Sequence, residues 1–171
     1  MSVLIRQAAA DDAASIAAVQ VRSWRAAYRG LLPQEELDAL DMDRGAGTWT
    51  RILAASQWPR SGTLVAEGEN GVVGFAALSP TRDDDADPAL VGELAALYSL
   101  ERVWGTGVGR SLMTAAQAAL TEAGYQRAGL WVLENNTRAR RFYEAAGWAP
   151  DGAVRVDGVA EVRYTWPSSA V

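Results

Sequence analysis

Residues Trp104-Gly105-Thr106-Gly107-Val108-Gly109-Arg110 set three glycines at alternate positions between a β-prone run, Val91 to Ser99, and an amphipathic helical pattern, Gly107 to Ala123. The helix carries Leu112, Met113, Ala116 and Leu120 on one face, and a second apolar run, Leu130 to Leu133, follows it. Strand, helix and strand in this order form a β-α-β unit, in which the strands are parallel, the crossover is right-handed and the helix begins at the carboxyl edge of the first strand. Glycines at that point let backbone N–H groups come close to a ligand, and a helix start adds unpaired donors and partial positive charge, which suits a diphosphate. A dinucleotide fingerprint G-x-G-x-x-G beginning at Gly105 would require glycine where Arg110 stands, and a P-loop would require Lys and then Ser or Thr after its last glycine. Neither motif fits. Taken alone, the turn also reads as a glycine-rich connector that binds nothing.

Downstream, Thr137 to Ala146 forms a short helix stopped by Gly147 in a left-handed C-terminal cap, and Trp148 to Val156 and Val159 to Trp166 form a hairpin around Asp157-Gly158. Upstream, Thr63 to Glu67 and Val72 to Leu78 make a hairpin across Asn70-Gly71. Pro80 to Pro88, with Asp83, Asp84, Asp85 and Asp87, has the composition of an exposed, mobile loop. At the start, Leu4 to Arg6 reads as a strand, and Asp11 or Asp12 offers a cap to a helix reaching Tyr28, on which Ala17, Val21, Trp24 and Tyr28 share a stripe. Pro33 opens a second helix through Leu40, and Arg44 to Ser56, with Trp49 and Ile52, forms a third.

A chain of 171 residues, 49% hydrophobic and 22% charged, fits one globular domain over residues 1–171. It has neither cysteine nor histidine, which excludes disulfides, thiolate nucleophiles, Ser-His-Asp and Cys-His triads and the common His or Cys metal sites. Carboxylates, Tyr, Ser and backbone dipoles remain for catalysis, and no metal is expected. The net charge of -5 disfavours nucleic acid, which is held mainly through Lys and Arg on phosphates. It suits a cationic substrate, and equally serves solubility. Apolar runs fall short of the ~20 residues of a membrane span, and Met1 to Arg6 lacks a signal-peptide layout. A cytoplasmic location without membrane partners is the expectation.

Gly107 and Gly109 match the two glycines of the signature Q/R-x-x-G-x-G/A, and Asn136-Thr137-Arg138-Ala139-Arg140-Arg141-Phe142-Tyr143-Glu144-Ala145-Ala146-Gly147-Trp148 is similar to a segment N-x-x-A-x-x-F-Y-x-x-x-G-F. On these two blocks the sequence resembles the GNAT superfamily of acetyl-CoA-dependent N-acetyltransferases. It departs from the pattern at Trp104, where the family has Gln or Arg, and at Trp148, where the family has Phe. The resemblance implies an α/β (α+β) fold with a mixed, mainly antiparallel sheet of six to seven strands, helices on both faces, and a splayed parallel pair formed by the fourth and fifth strands. It implies acetyl-CoA as cosubstrate, with the pantetheine against the backbone of Leu97, Tyr98 and Ser99 and the diphosphate held by Gly105, Thr106, Gly107, Val108, Gly109 and Arg110. Arg110 would add a cation there, or is a solvated helix residue.

An alkylamine has a pKa of ~10.4, so attack on a thioester requires a proton acceptor. Glu93 stands eleven positions before Trp104, where several members of the resembled family carry a catalytic Glu, and strand alternation puts it on the face of Leu97 unless a bulge intervenes. A water chain is the other candidate. The resemblance implies a backbone N–H near Leu97 as oxyanion donor and Tyr143 as the acid that protonates the leaving thiolate; Tyr143 also reads as a core aromatic. Asn136 is a helix N-cap, a CoA contact, or both. Trp24, Tyr28 and Trp49 line an acceptor pocket or pack in the core. The aspartates of the loop attract a cationic acceptor or are simply solvated. The expected acceptor is a primary amine of a small molecule, or alternatively a protein N-terminus or lysine; a catalytically silent acyl-CoA-binding module is the remaining alternative. Monomer and homodimer are both open.

Overall fold

The alternating apolar runs form seven strands and the amphipathic stretches five helices, in a computed structural model that describes residues 2–167. The domain expected over 1–171 therefore reaches beyond the described residues at both ends. In chain order the elements are β1 (Leu4–Gln7), α1 (Ala13–Ala27), α2 (Gln34–Asp38), α3 (Met42–Ala54), β2 (Gly62–Gly68), β3 (Gly71–Pro80) and β4 (Val91–Ser99). Then follow α4 (Val108–Glu122), β5 (Arg127–Leu133), α5 (Thr137–Ala145), β6 (Ala149–Asp157) and β7 (Val159–Trp166). One sheet has the order β1-β2-β3-β4-β5-β7-β6, antiparallel throughout except between β4 and β5. This is the mixed, mainly antiparallel sheet expected.

Helices cover both faces because both faces are apolar. On one, Leu112, Met113, Ala116 and Leu120 of α4 pack on Leu64, Leu94, Leu130 and Tyr164. On the other, Ile16 and Val19 of α1 and Trp49 of α3 pack on Val65 and Phe75. Trp49 is 4% exposed, meets Phe75 at 5.1 Å between ring centroids, and donates its Nε1–H to Gln20, so it belongs to the core and not to an acceptor pocket.

The parallel pair is short. Its register runs Val91 with Arg127, Gly92 with Ala128 and Glu93 with Gly129, and the strands then part, while β5 continues against β7 as far as Leu133 and Glu161. A bulge accompanies the parting: Leu94 pairs with Leu78 and Ala96 with Ala77, leaving Ala95 as an extra residue in β4. Leu94 and Leu97 face α4, whereas Ala96 and Tyr98 face α1. Glu93, next to Leu94, therefore shares a face with Tyr98 and not with Leu97. The bulge overturns the simple alternation.

Other differences from the sequence reading are local. The β2–β3 turn is Glu69–Asn70, one residue before the expected pair, and Gly71 at φ 109° opens β3. Asp12 is the N-cap residue of α1 but its side chain makes no capping bond, because the carboxylate accepts from the Ala9 N–H at 2.7 Å and from Arg6 at 2.8 and 3.0 Å. The aspartate-rich loop is pinned to the sheet instead of standing free: Asp83 accepts from Trp131 Nε1 at 2.9 Å, and Asp85 takes two bonds from Arg163 at 2.7 and 2.8 Å.

Candidate active site

Parting of β4 from β5 opens a cleft of about 920 Å3, within the range of small-molecule sites. At its fork stands Glu93, on the last paired rung of the two strands. Its carboxylate is 5% exposed, and Oε2 accepts from Arg82 Nε at 2.9 Å and Nη2 at 2.7 Å. Among the described residues nothing bonds Oε1. Arg82 has a largely exposed side chain and ties the loop after β3 to this carboxylate.

Along β4 the backbone offers groups to the cleft at alternate residues. Leu100 N–H donates to Val73 C=O at 2.9 Å, and Ser99 pairs with Gly74. In an antiparallel ladder this makes Ser99–Gly74 and Leu97–Ala76 non-hydrogen-bonded pairs, so the N–H and C=O of Leu97 and Ser99 turn away from β3 and toward the cleft. Those of Tyr98 turn to Phe75. The expectation that Tyr98 meets a ligand through its backbone is thereby corrected. Its side chain faces α1, where its hydroxyl lies 3.0 Å from that of Tyr28, with Trp24 against both rings. Burial pushes the Tyr28 phenol up to about 12, against the pull of the Tyr98 hydrogen bond, and holds Tyr98 well above its ordinary value. Trp24 and Tyr28 line the cleft as expected.

At the other end of the cleft are Trp104, Gly105 and Gly109. Gly107 is the N-cap of α4 at φ 96°, a left-handed conformation costly for other residues, and no side chain caps the helix. The N–H groups of Val108, Gly109 and Arg110 therefore have no partner within the helix. Gly109 packs close to α5: a Cβ there would lie in van der Waals contact with the Phe142 ring at 3.4 Å. Thr106 points elsewhere, donating its hydroxyl to Val103 C=O, and Arg110 is exposed and does not border the cleft. The side-chain cation expected of Arg110 is absent from this wall; Arg138 and Arg141 border the cleft instead.

α5 forms the third wall. Asn136 Oδ1 caps it by accepting from Ala139 N–H at 3.2 Å, while the residue also lines the cleft. Gln117 of α4 donates to Ala146 C=O at 2.8 Å, and the Tyr164 hydroxyl of β7 donates to Glu144 and accepts from Arg140, which fastens the helix to the sheet. Gly147, at φ 91°, ends it with the Trp148 N–H returning to Tyr143 C=O. Tyr143 is thus held rigidly at the cleft, beside Phe142, Trp148 and Tyr164. Burial raises its phenol well above the ordinary value, so it remains a protonated donor.

Several lining residues carry no mark as site residues in the sequence, among them Glu36, Arg82, Trp131, Arg138, Arg155 and Glu161. Arg82 and Arg138 carried no signal beyond an ordinary surface arginine. Glu161 had one, the alternation along β7.

The profile of the acetyltransferase (GNAT) family matches residues 20–148. An uncharacterized N-acetyltransferase of Bacillus subtilis, YuaI, is 32% identical over 96% of this chain and 93% of its own length. One from Archaeoglobus fulgidus is 34% identical over 81% of this chain and 88% of its own. Among solved structures, the PaiA N-acetyltransferase of Thermoplasma acidophilum in complex with coenzyme A superimposes with a TM-score of 0.75 at 20% identity, covering 96% of this chain and 98% of that one. YncA of Salmonella typhimurium with acetyl-CoA, an acetyltransferase by proposal, gives a TM-score of 0.72 at 19% identity, covering 100% and 97%. A splayed parallel pair, a glycine turn at the start of α4, and a family match across most of the chain lead to one conclusion: this chain belongs to the GNAT acetyltransferase family.

Proposed function

We propose that the protein transfers the acetyl group of acetyl-CoA directly to a primary amine of a small molecule. The observation that carries this reading is the convergence on one cleft of the uncapped α4 N-terminus, the backbone N–H and C=O of Leu97 and the N–H of Ser99, Glu93 at the fork and Tyr143 on α5. Three unpartnered N–H groups at a glycine turn fit a diphosphate, and a strand edge lacking its neighbour fits the amides of a pantetheine arm. Bound there, acetyl-CoA supplies an activated acyl carbon.

The chain's own groups have distinct tasks. Leu97 N–H, fixed by the sheet, donates to the carbonyl oxygen where negative charge develops. The Glu93 carboxylate accepts a proton from the attacking amine, directly or through a water, with Arg82 holding one of its oxygens. The Tyr143 O–H donates toward the departing sulfur. Cys is absent, no His can activate a Ser, and no G-x-S-x-G elbow occurs, which favours direct transfer without an acyl-enzyme.

Glu36, Glu93, Asp157 and Glu161 line the cleft together with Arg82, Arg138, Arg141 and Arg155, and Glu93 and Glu161 are paired with Arg82 and Arg155. Among the described residues Glu36 and Asp157 have no ion-pair partner, and with the rings of Trp24 and Tyr28 on the same cleft they suit a cationic acceptor. The test is thiol release from acetyl-CoA across polyamines, aminoglycosides, amino acids and peptides, with a chain that adds no thiol of its own. Turnover with a small amine is expected. Turnover with peptides alone assigns the acceptor to protein, and CoA binding without turnover for any amine would leave only a silent binding module.

A further inference from the structure

Trp104 occupies the one signature position where a polar or cationic side chain is the rule in the resembled family. Its indole Nε1–H donates to Ser99 C=O at 3.0 Å, which fixes the ring between the end of β4 and Gly105. Over that ring, 3.6 Å from its centroid, lies the guanidinium of Arg138, the second residue of α5. Both residues border the cleft. The stack is tight, and dehydration against neighbouring groups lowers the proton affinity of Arg138, although a guanidinium stays charged.

What makes Arg138 informative is the lack of a counter-ion. Of the other arginines lining the cleft, Arg82 and Arg155 are ion-paired at 2.7 and 2.6 Å, and Arg141 is not. Among the described residues no carboxylate pairs with Arg138; Glu101 acts on it only from a distance. Arg138 is exposed to solvent, stacked on Trp104 and unpaired, so its charge is open to an anionic ligand entering the cleft. Arg141 also borders the cleft but stacks on no ring, and Arg110 lies off it.

We propose that Arg138, held on the face of Trp104, is the side-chain cation that grips the diphosphate of acyl-CoA, returning from α5 the polar contact that Trp104 removes from the turn. The assignment rests on the reading of the cleft as an acyl-CoA site. Trp104 is then a platform and not a defect: its ring sets the plane of the guanidinium on the cleft wall that also carries Gly105 of the turn and Gly109 of α4.

Binding of CoA, 3′-dephospho-CoA and pantetheine to the full chain, measured by calorimetry and, for the weak ligand, by ligand-observed NMR, tests this. Arg138→Gln weakens CoA and dephospho-CoA alike, each about tenfold or more, and leaves pantetheine unchanged. Arg138→Lys recovers part of the loss, because it keeps the charge but not the planar stack. Trp104→Leu reproduces part of the loss, and the double variant with Arg138→Gln is no worse than Arg138→Gln alone. Equal CoA affinity in wild type and Arg138→Gln overturns the proposal. So does a loss shared by pantetheine, which marks a structural role, or one confined to CoA, which moves Arg138 to the 3′-phosphate. Wild-type protein that takes up no CoA refutes the underlying acetyl-CoA reading itself, a result distinct from all of these.

Discussion

Replacing Tyr143 by Phe removes one oxygen atom from the cleft wall and leaves the ring contacts with Phe142, Trp148 and Tyr164 in place. The hydroxyl bonds none of the described residues, so folding stability should change by less than about 0.5 kcal/mol. The chemical cost follows from proton affinities. Burial raises the phenol well above its ordinary 10.0, so it is a weaker acid than an alkyl thiol. Complete proton transfer to the departing thiolate is therefore uphill. The phenol acts mainly by donating a hydrogen bond as the C–S bond breaks, which points to the low end of the usual 10²–10⁴ for a positioned acid, about 100-fold in kcat or about 2.7 kcal/mol. Thiol release with the best amine acceptor measures this, alongside calorimetry of CoA binding, which should stay within about twofold of wild type. Because the phenol keeps its proton to beyond pH 10, the ratio of wild-type to variant rates should be flat from about pH 6 to 9.5. A kcat within about threefold of wild type, or a ratio that collapses in this range, would refute the role given to Tyr143.

Glu93→Gln should lower kcat by about 100-fold or more with CoA affinity unchanged, as befits a proton acceptor that does not touch the nucleotide; an unchanged kcat transfers the task to water. Asp12→Asn should destabilise the fold at pH 7 by about 1.5–3 kcal/mol, since it loses charged hydrogen bonds to Arg6 at 2.8 and 3.0 Å. Arg6 depresses the Asp12 carboxyl in the folded state, so its contribution is present above the unfolded pKa of about 3.9 and disappears as pH falls through the lower folded value. Urea unfolding of the two proteins should therefore converge below about pH 4, and a gap independent of pH would contradict the pairing.

The sequence already disclosed whatever depends on neighbours along the chain. The turn at Gly105 to Gly109, the apolar face of α4 and the cap at Gly147 are written in spacing and in glycines at left-handed positions. Contacts between distant residues were not legible. The bulge at Ala95 leaves no mark in composition, yet it moves Glu93 to the face of Tyr98. An aspartate-rich loop reads as solvated until Arg163, some eighty residues away, is found beside Asp83 and Asp85. Trp24 and Trp49 look alike as helical aromatics, and only packing sends one to the cleft and the other to Phe75. Trp104 looked like a broken signature because its partner Arg138 lies on another helix.

The central claim is that main-chain donors at the start of α4 and a stacked arginine hold an acyl-CoA in the fork of the sheet. Titration of acetyl-CoA into the folded chain, followed by heat and by tryptophan fluorescence, to which Trp24, Trp104 and Trp131 contribute from the cleft wall, tests it most directly. The account predicts a single saturable site, competed by CoA, with a change in tryptophan emission on the same binding curve. A chain that stays folded yet gives neither heat nor a fluorescence change would contradict it.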